Sequence, residues 1–295
     1  MPNIRKTTQN DIRPLAQAFR EAFSTYEVPL HMNEERFLRM LRRNGFTHEF
    51  SYVAEEDGRI VGFLINGCRT SADGELRLYD TGTGVIAPYR GRGIAKRLFQ
   101  TMLSDTAGQR ATYRLEVLKS NAPARAVYEK QGFAVSRELI CLKCPTAQLP
   151  KCAGSDGYTL TEAAVDENTV LSDAVLALLA SGKPSWQNEL PSLIAAGGHT
   201  LFLLKEGETP KALAAVALGS GDIAELAVKD ETDAEQALRV LMQTIRTRTR
   251  AKALKVFNLD GGAVRIRQAL EGLGFAEFAR QNEMVRTMGT ADERR

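Results

Sequence analysis

The order of helices and strands predicted for the first half of the chain recurs in the second half. Each half begins with a short strand and two helices, followed by a hairpin whose turn contains glycine, at Asp57-Gly58 and Glu206-Gly207. Each half also ends with a helix, a Gly-Phe pair and a strand, and the pairs are Gly132-Phe133 and Gly274-Phe275. Self-similarity of this kind indicates two copies of one α+β unit in tandem. The 295 residues suffice for two domains of about 150 residues each.

The stretch 145–156 separates the two copies, and its prolines, glycine and serine are typical of a linker. We therefore predict a first domain over residues 1–144, a linker over 145–156 and a second domain over 157–288. Residues 289–295 are expected to form a flexible tail.

Charge and hydropathy argue against nucleic acid and membrane partners. The formal net charge is only +3, and the chain contains no apolar run near the roughly 18 residues that a membrane span needs. The N-terminal ten residues are polar, so we expect a cytoplasmic protein. Basic residues cluster locally over 246–252, where we expect a solvated helix end; RNA binding is the alternative.

Three of the four cysteines lie close together in the sequence. The spacing of Cys141 and Cys144, with Cys152 nearby, resembles half of a zinc site. A second close pair is missing, and neither Cys68 nor the histidines have a matching spacing. We therefore expect ordinary reduced thiols and no metal.

A glycine-rich turn follows the predicted strand that ends at Val85. The stretch Arg90-Gly91-Arg92-Gly93 leads directly into a predicted helix that begins at Ile94. Such a turn directs several backbone amides toward one point at the positive end of the helix dipole. Arg90, Arg92 and Lys96 add positive charge. The residues themselves predict a cradle for a diphosphate.

This turn is similar to the acetyl-CoA signature of the GNAT N-acetyltransferase superfamily, matched here by Arg90, Gly93 and Ala95. A second similar motif runs from Asn121 through Tyr128 to Gly132-Phe133. The resemblance covers residues 1–144 well and 158–287 more weakly. One departure is Ala87, where the family commonly has proline; here proline follows at position 88.

The resemblance implies two tandem GNAT-like domains, each a mixed, mostly antiparallel sheet flanked by helices in three α/β layers. In the first domain the strand Leu76–Val85 would splay from the strand over 114–118, and the pantetheine arm of acetyl-CoA would enter the gap. An amide near Val85 would polarise the thioester, and the acceptor amine would attack it directly.

The resemblance also implies individual site residues. Tyr128 would protonate the departing thiolate, while Asp80, Glu116 or a chain of water molecules would deprotonate the amine. The implied cofactor-binding residues are Val85, Ile86, Arg90, Gly91, Arg92, Gly93, Ile94, Ala95, Lys96 and Asn121.

The acceptor is expected to be the primary amine of a small molecule. The protein itself is expected to be a monomer or a homodimer. Tyr26, Glu27 and Met32 lie between the first two predicted helices and would form a wall of the acceptor pocket. Trp186, the only tryptophan, is a further candidate to line it, with burial as the alternative. A non-catalytic acyl-CoA sensor or a partner-binding module on the same scaffold is the alternative function.

The second copy lacks the residues of both motifs. Alignment of Val228 with Val85 places acidic or bulky residues where the turn of the first copy has open amides. Alignment of the two Gly-Phe pairs shows that the second copy has no tyrosine at the position of Tyr128. The substituted positions are Asp233 for Arg90, Glu235 for Arg92, Gln236 for Gly93, Leu270 for Tyr128 and Ala263 for Asn121. Thr232 and Glu235 also form a capping-box pattern. We predict that the second copy does not bind acetyl-CoA.

Overall fold

The computed structural model describes residues 1–24, 32–149, 157–230 and 234–289. The chain forms two compact units. Unit 1 comprises residues 1–136 together with the segment from 283 onward, and unit 2 comprises residues 137–282. No helix within the described ranges is long and apolar enough to span a membrane.

Unit 1 contains a mixed sheet with the strand order β1-β2-β3-β4-β5, followed by β12 (Ala276–Met288), of which only the residues from 283 onward belong to this unit. The pairs from β1 to β4 are antiparallel, whereas β4 and β5 are parallel. Its elements in chain order are β1 (Asn3–Lys6), α1 (Ile12–Ala22), α2 (Glu34–Arg43), β2 (Tyr52–Glu56), β3 (Arg59–Thr70), β4 (Leu76–Val85), α3 (Ile94–Asp105), β5 (Ala111–Leu118) and α4 (Ala122–Lys130).

Helices cover both faces of this sheet. A Cβ added at Gly82 would meet Phe19 of α1, so this side of β4 faces α1. A Cβ added at Gly62, which pairs with Val85, would meet Ile94 of α3, so Val85 faces α3. Apolar side chains on both faces are fully buried and form the core of the unit. The predicted three-layer arrangement with a mixed, mostly antiparallel sheet is confirmed.

Unit 2 repeats this architecture, with the strand order β6-β11-β10-β9-β8-β7 and a parallel pair between β10 and β11. Its elements in chain order are β6 (Ala134–Pro145), β7 (Thr159–Val165), α5 (Asp173–Ser181), α6 (Leu190–Ala196), β8 (His199–Glu206), β9 (Thr209–Ala217), β10 (Asp222–Val228), α7 (Ala234–Arg248), β11 (Ala253–Asp260), α8 (Val264–Gly272) and β12 (Ala276–Met288).

The division of the chain differs from the prediction at the last strand of each copy. Most of β6 belongs to unit 2, where Leu142 pairs with Val256 of β11. The end of β12 belongs to unit 1, where Met284 and Met288 join the core. A boundary at residue 144 was therefore wrong. An alternating apolar strand fits either sheet equally well, so sequence periodicity does not reveal this exchange.

The predicted linker also differs from the structure at its start. Residues 146–148 form a 3-10 turn, and the Thr146 amide donates to the carbonyl of Lys252 at 2.9 Å. Leu149 is 2% exposed and packs in the core of unit 2. Residues 145–149 are thus part of a folded unit, and 150–156 lie outside the described residues.

Candidate active site

The strands β4 and β5 separate in the middle of the sheet of unit 1. Their parallel pairing runs from Leu76 and Ala111 to Asp80 and Leu115, after which β4 continues unpaired on this side to Val85. A β-bulge lies at the same place, because Asn66 of β3 pairs with Asp80 and Ile65 pairs with Gly82. Bulges bend the strand that carries them. The gap that opens here is the splay that the family resemblance implied.

The bulge also changes which side chains face the gap. With Thr81 as the extra residue, Asp80 and Thr83 lie on the same face of β4. The Thr83 hydroxyl donates to Asp80 Oδ2 at 2.8 Å. A strand without the bulge would direct these two side chains to opposite faces.

The turn between β4 and α3 presents backbone amides without acceptors. Gly91 and Gly93 have φ angles of +75° and +73°, which residues with a Cβ adopt only at a cost. In the part of the chain that the structure describes, the amides of residues 91–96 have no hydrogen-bond acceptor. They lie at the first turn of α3, where the helix dipole is positive. This arrangement can bind an anionic group such as a diphosphate.

A cleft of about 860 Å³ connects this turn with α4. Its volume lies within the range of about 300–1,000 Å³ that is usual for small-molecule sites. The lining residues come from the end of β4, the glycine turn and α4; they are Thr83, Gly84, Val85, Tyr89, Arg90, Gly91, Gly93, Ile94, Ala95, Lys96, Pro123, Ala124, Val127, Tyr128, Lys130 and Gln131.

Most of the predicted cofactor residues line this cleft, but three do not. Ile86 is 1% exposed, and its amide donates to the Val61 carbonyl. Arg92 lies over the Tyr89 ring at 4.9 Å from the centroid. Asn121 is the N-cap of α4, and its side chain accepts a hydrogen bond from the Ala124 amide at 3.2 Å.

Arg90 braces the rim of the cleft from within the protein. Its Nε donates to the Val85 carbonyl at 3.1 Å, and its Nη2 donates to the Ala22 carbonyl at 2.7 Å. The side chain thus ties the end of β4 to the end of α1 and keeps a positive charge at the cleft. Arg90 therefore positions the turn as well as adding charge to it.

Tyr128 lies in the cleft with its ring held by two phenylalanines. The rings of Phe99 and Phe133 meet it edge-on, with centroid distances of 5.8 and 6.0 Å. Its hydroxyl is close enough to the Asp80 carboxyl to form a hydrogen bond that lowers the pKa of Asp80. The structure therefore brings together two residues that are 48 positions apart in the sequence.

Asp80 is 6% exposed, and its Oδ1 has no hydrogen-bond partner among the described residues. Burial raises the pKa of this carboxyl from 3.8 to about 7, against the opposing effect of hydrogen bonds from Thr83, the Gly82 amide and Tyr128. A carboxyl with a pKa near neutrality can accept and release a proton at physiological pH.

Glu116, the other predicted base, lies on the opposite face of the sheet. Leu115 pairs with Asp80 and shares its face, so the next residue on β5 points to the other side. Glu116 is half-buried there. Of the two candidate carboxylates, only Asp80 adjoins Tyr128.

Sequence reasoning did not identify two polar residues behind the site. Tyr113 is fully buried, and its hydroxyl donates to Asn66 Oδ1 at 2.7 Å. Burial, followed by the nearby Asp80 and Tyr128, raises the pKa of Tyr113 well above its usual value. The alternation of β5 marks Tyr113 as inward-facing, but no sequence signal places Asn66 opposite it.

The predicted acceptor wall is described only in part. Tyr26 and Glu27 lie outside the described residues, whereas Met32 is half-buried against the core of unit 1. Trp186 is 0% exposed in unit 2. The expectation that it lines a pocket is therefore corrected, because the indole packs in the interior.

Unit 2 closes the region that corresponds to the cleft. Its helices α7 and α8 pack directly against each other, and Leu270 is fully buried where unit 1 has Tyr128. Ala263 caps α8 without a side-chain hydrogen bond. That unit 2 does not bind acetyl-CoA stays a prediction, now supported by this packing.

The predicted alignment of the second turn needs a correction. Residues 229–233 connect β10 to α7, whereas the longer stretch 86–93 connects β4 to α3. Gln236 and Glu235 thus lie inside α7 instead of before it, and Glu235 pairs with Arg239 at 2.9 Å. Glu231, Thr232 and Asp233 lie outside the described residues.

Asp80→Asn is expected to raise the melting temperature relative to wild type by several degrees more at pH 8 than at pH 5. The Asp80 pKa is about 7 in the folded protein, and an Asp pKa is about 3.9 in an unfolded chain. Stability from the neutral carboxyl is therefore complete below about pH 4 and is lost as the pH rises through 7. Asparagine stays neutral, so melting curves of both proteins should diverge with pH. A constant difference would contradict the burial of this charge.

Comparison with known proteins agrees with this geometry. Residues 13–133 match the family described as the Acetyltransferase (GNAT) family. A protein of Pseudomonas phage PaMx11, described as 5-NmdU N-acetyltransferase, is 37% identical over 87 residues. These residues are 30% of this chain and 59% of that protein, so the match spans less than two thirds of the relative.

Solved structures resemble the whole chain. A structure described as a putative acetyltransferase from Pyrococcus horikoshii has a TM-score of 0.66 at 16% identity. The match covers 98% of this chain and 90% of that protein. A tandem GNAT protein from the clavulanic acid biosynthesis pathway has a TM-score of 0.65 at 15% identity. The match covers 99% of this chain and 100% of that protein. At these identities the likeness shows the fold, and the predicted tandem fold is confirmed.

Proposed function

We propose that unit 1, in which residues 13–133 match the Acetyltransferase (GNAT) family, transfers the acetyl group of acetyl-CoA to a primary amine of a small molecule. The proposal depends on one arrangement: the amides of residues 91–96 have no acceptor among the described residues, and the cleft that contains this turn is also lined by Tyr128. One group of residues can bind the cofactor and the other can move a proton.

The diphosphate of acetyl-CoA would accept hydrogen bonds from the amides of residues 91–96. Lys96 and Arg90 line the same part of the cleft and supply positive charge. The unpaired side of β4 from Thr81 to Val85 leaves main-chain groups available to the pantetheine arm. An amide on this edge would stabilise the negative charge that develops on the carbonyl oxygen of the acetyl group.

When bound, acetyl-CoA supplies a thioester, an activated acyl group with a thiolate as leaving group. The neutral amine forms the new bond to the acetyl carbon, and the bond between that carbon and sulfur breaks. Tyr128 donates its hydroxyl proton to the sulfur. Since a thiol has a pKa of about 8.5, the departing thiolate needs only modest assistance.

Asp80 is the group that we propose to receive the proton from the amine. An amine with a pKa of about 10 loses one proton to solvent before it attacks, and its nitrogen must lose a second proton once the bond to the acetyl carbon has formed. Asp80 accepts this second proton. The Asp80 pKa of about 7 suits this task. Because the Tyr128 hydroxyl adjoins Asp80, the accepted proton can pass to the tyrosine after the tyrosine has protonated the sulfur. Glu116 and a water chain are the competing bases.

Release of free thiol from acetyl-CoA tests the proposal. The full chain is incubated with acetyl-CoA and a panel of primary amines, and the thiol is measured with a chromogenic reagent. We expect saturable release that depends on the amine and is negligible without one. Binding of acetyl-CoA without thiol release from any amine would favour the sensor function instead.

We also propose a cytoplasmic location and a monomeric or homodimeric state. Light scattering on the purified chain reads the assembly directly. Neither property enters the mechanism, because all the residues named above come from one unit of one chain.

A further inference from the structure

Arg114 occupies the point of β5 at which the gap begins, on the face of the sheet opposite the cleft. It pairs with Tyr79 of β4, one position before the last pair between the two strands. Tyr79 in turn pairs with Gly67, and a Cβ on Gly67 would collide with the Asn44 backbone at the end of α2. Arg114 therefore shares the α2 face with Tyr79, and Asp80 lies on the other face.

The guanidinium of Arg114 has no partner among the residues that the structure describes. Within the described ranges it forms no ion pair and no hydrogen bond, and its Nε is buried without an acceptor. The side chain as a whole is half-buried, so the remaining nitrogens reach solvent. A buried donor without an acceptor is costly. Native proteins retain such donors mainly where a ligand or a water molecule accepts their hydrogen bond.

Two further arginines lie on this face, on the side of Arg114 away from the gap. Arg69 and Arg77 pair with each other across β3 and β4, and both share the face of Arg114. Two carboxylates accompany them: Glu116, two residues beyond Arg114 toward the gap, and Glu75, which directly precedes β4 and accepts a hydrogen bond from Thr112. A face with this balance favours an anionic ligand.

This face is also the one from which an acceptor reaches the gap. The cleft on the side of α3 and α4 would be filled by the cofactor, so the amine reaches the thioester through the gap from the other side of the sheet, and its proton crosses the gap to Asp80, which lies in the last pair between β4 and β5. Arg114 lies beside that route, directly before the residue at which pairing ends. This step rests on the function proposed above.

We propose that Arg114 binds an anionic group of the acceptor, a carboxylate or a phosphate, and thereby selects amines that carry such a group. Guanidinium binds both anions in a bidentate manner, which fixes the orientation of the ligand as well as its position. The acceptor is then a compound of the amino-acid type, whose amine is held at the gap while its anionic group stays unchanged.

Matched sets of acceptors test this assignment. Glycine, alanine, phenylalanine and lysine are each compared with their carboxamides and their aminophosphonate analogues, using thiol release and expressing kcat/KM for the unprotonated amine. We expect the anionic forms to exceed the amides by about 10- to 100-fold. In Arg114→Met this ratio should fall toward one, and Arg114→Lys should restore part of it.

Arg110→Met is the matched control. Arg110 directly precedes β5, is half exposed and pairs with Asp73 away from the gap. Its replacement should leave the ratio unchanged. Melting curves and acetyl-CoA affinity show whether each variant is folded.

Two results would overturn the assignment. One is an equal kcat/KM of the wild type for the anionic acceptors and their carboxamides; the other is an equal decrease in kcat/KM for both classes in Arg114→Met. Preference for the phosphonates over the carboxylates would identify a phosphate as the anion, and the reverse would identify a carboxylate. If no amine of any class releases thiol, the proposed acetyl transfer itself fails, which is a different outcome.

Discussion

Gly93→Glu is expected to weaken the binding of coenzyme A by about 100-fold or more. Gly93 has a φ of +73° and is the N-cap of α3, so any residue with a Cβ strains the turn that directs the amides. The new carboxylate would also accept hydrogen bonds from the amides of residues 91–96 and repel the diphosphate. Calorimetric titration of the full chain with coenzyme A measures the effect.

Gly108→Glu is the matched control for this substitution. Gly108 has a φ of +84° and, like Gly93, has no atom within 4 Å of an added Cβ. It follows the C-terminal end of α3 instead of preceding its start. Both variants therefore suffer similar backbone strain, but only one changes the cradle. Equal loss of affinity in the two would show that strain alone explains the result and would remove the evidence for an anion site.

Tyr128→Phe is expected to lower kcat by roughly 10- to 1,000-fold, in the range of general acid catalysis. The ring remains packed between Phe99 and Phe133, so the cleft should keep its shape. Only the proton donor to the sulfur and the hydrogen bond to Asp80 are lost. Steady-state kinetics with the best amine, together with the acetyl-CoA dissociation constant, separates loss of chemistry from loss of binding.

Tyr89→Phe provides the comparison within the same cleft. The Tyr89 hydroxyl is hydrogen-bonded to Glu56, away from Asp80. Its removal should change kcat by less than about threefold, since no proton transfer depends on it. An unchanged kcat in Tyr128→Phe would exclude the acid role, and a parallel loss of acetyl-CoA affinity would make Tyr128 a binding residue.

The repeat and the glycine turn could be predicted from the sequence itself, because both depend on local signals: hydrophobic periodicity, glycines that tolerate positive φ, and residues at fixed spacing around the turn. The splay of β4 from β5 was implied only by the family resemblance. Gly91 and Gly93 both adopt the left-handed conformation that their position suggested. Asp80 and Tyr128 were both predicted to belong to the active site, but the contact between them was not predicted.

Other features depend on tertiary pairing and were not predictable from one sequence. The exchange of β6 and β12 between units needs knowledge of which core each strand enters. The bulge at Thr81, which aligns Asp80 with Thr83, is a property of the β3–β4 register. Trp186 could be placed in a pocket or a core on sequence grounds, and the packing of unit 2 selects the core.

The closure of unit 2 is a further example. Leu270 and Ala263 indicated that the motif residues are absent, but not that α7 and α8 come together. That contact depends on the summed packing of apolar side chains along α7. Substitution of a motif residue is visible in the sequence, whereas the resulting loss of a cleft is visible only in the fold.

A crystal structure of the full chain with coenzyme A would show whether the glycine turn holds the diphosphate. We expect diphosphate oxygens within about 3.2 Å of backbone nitrogens among residues 91–96, and no coenzyme A at the start of α7. Coenzyme A bound with its diphosphate away from these amides, or bound equally at both helices, would contradict it.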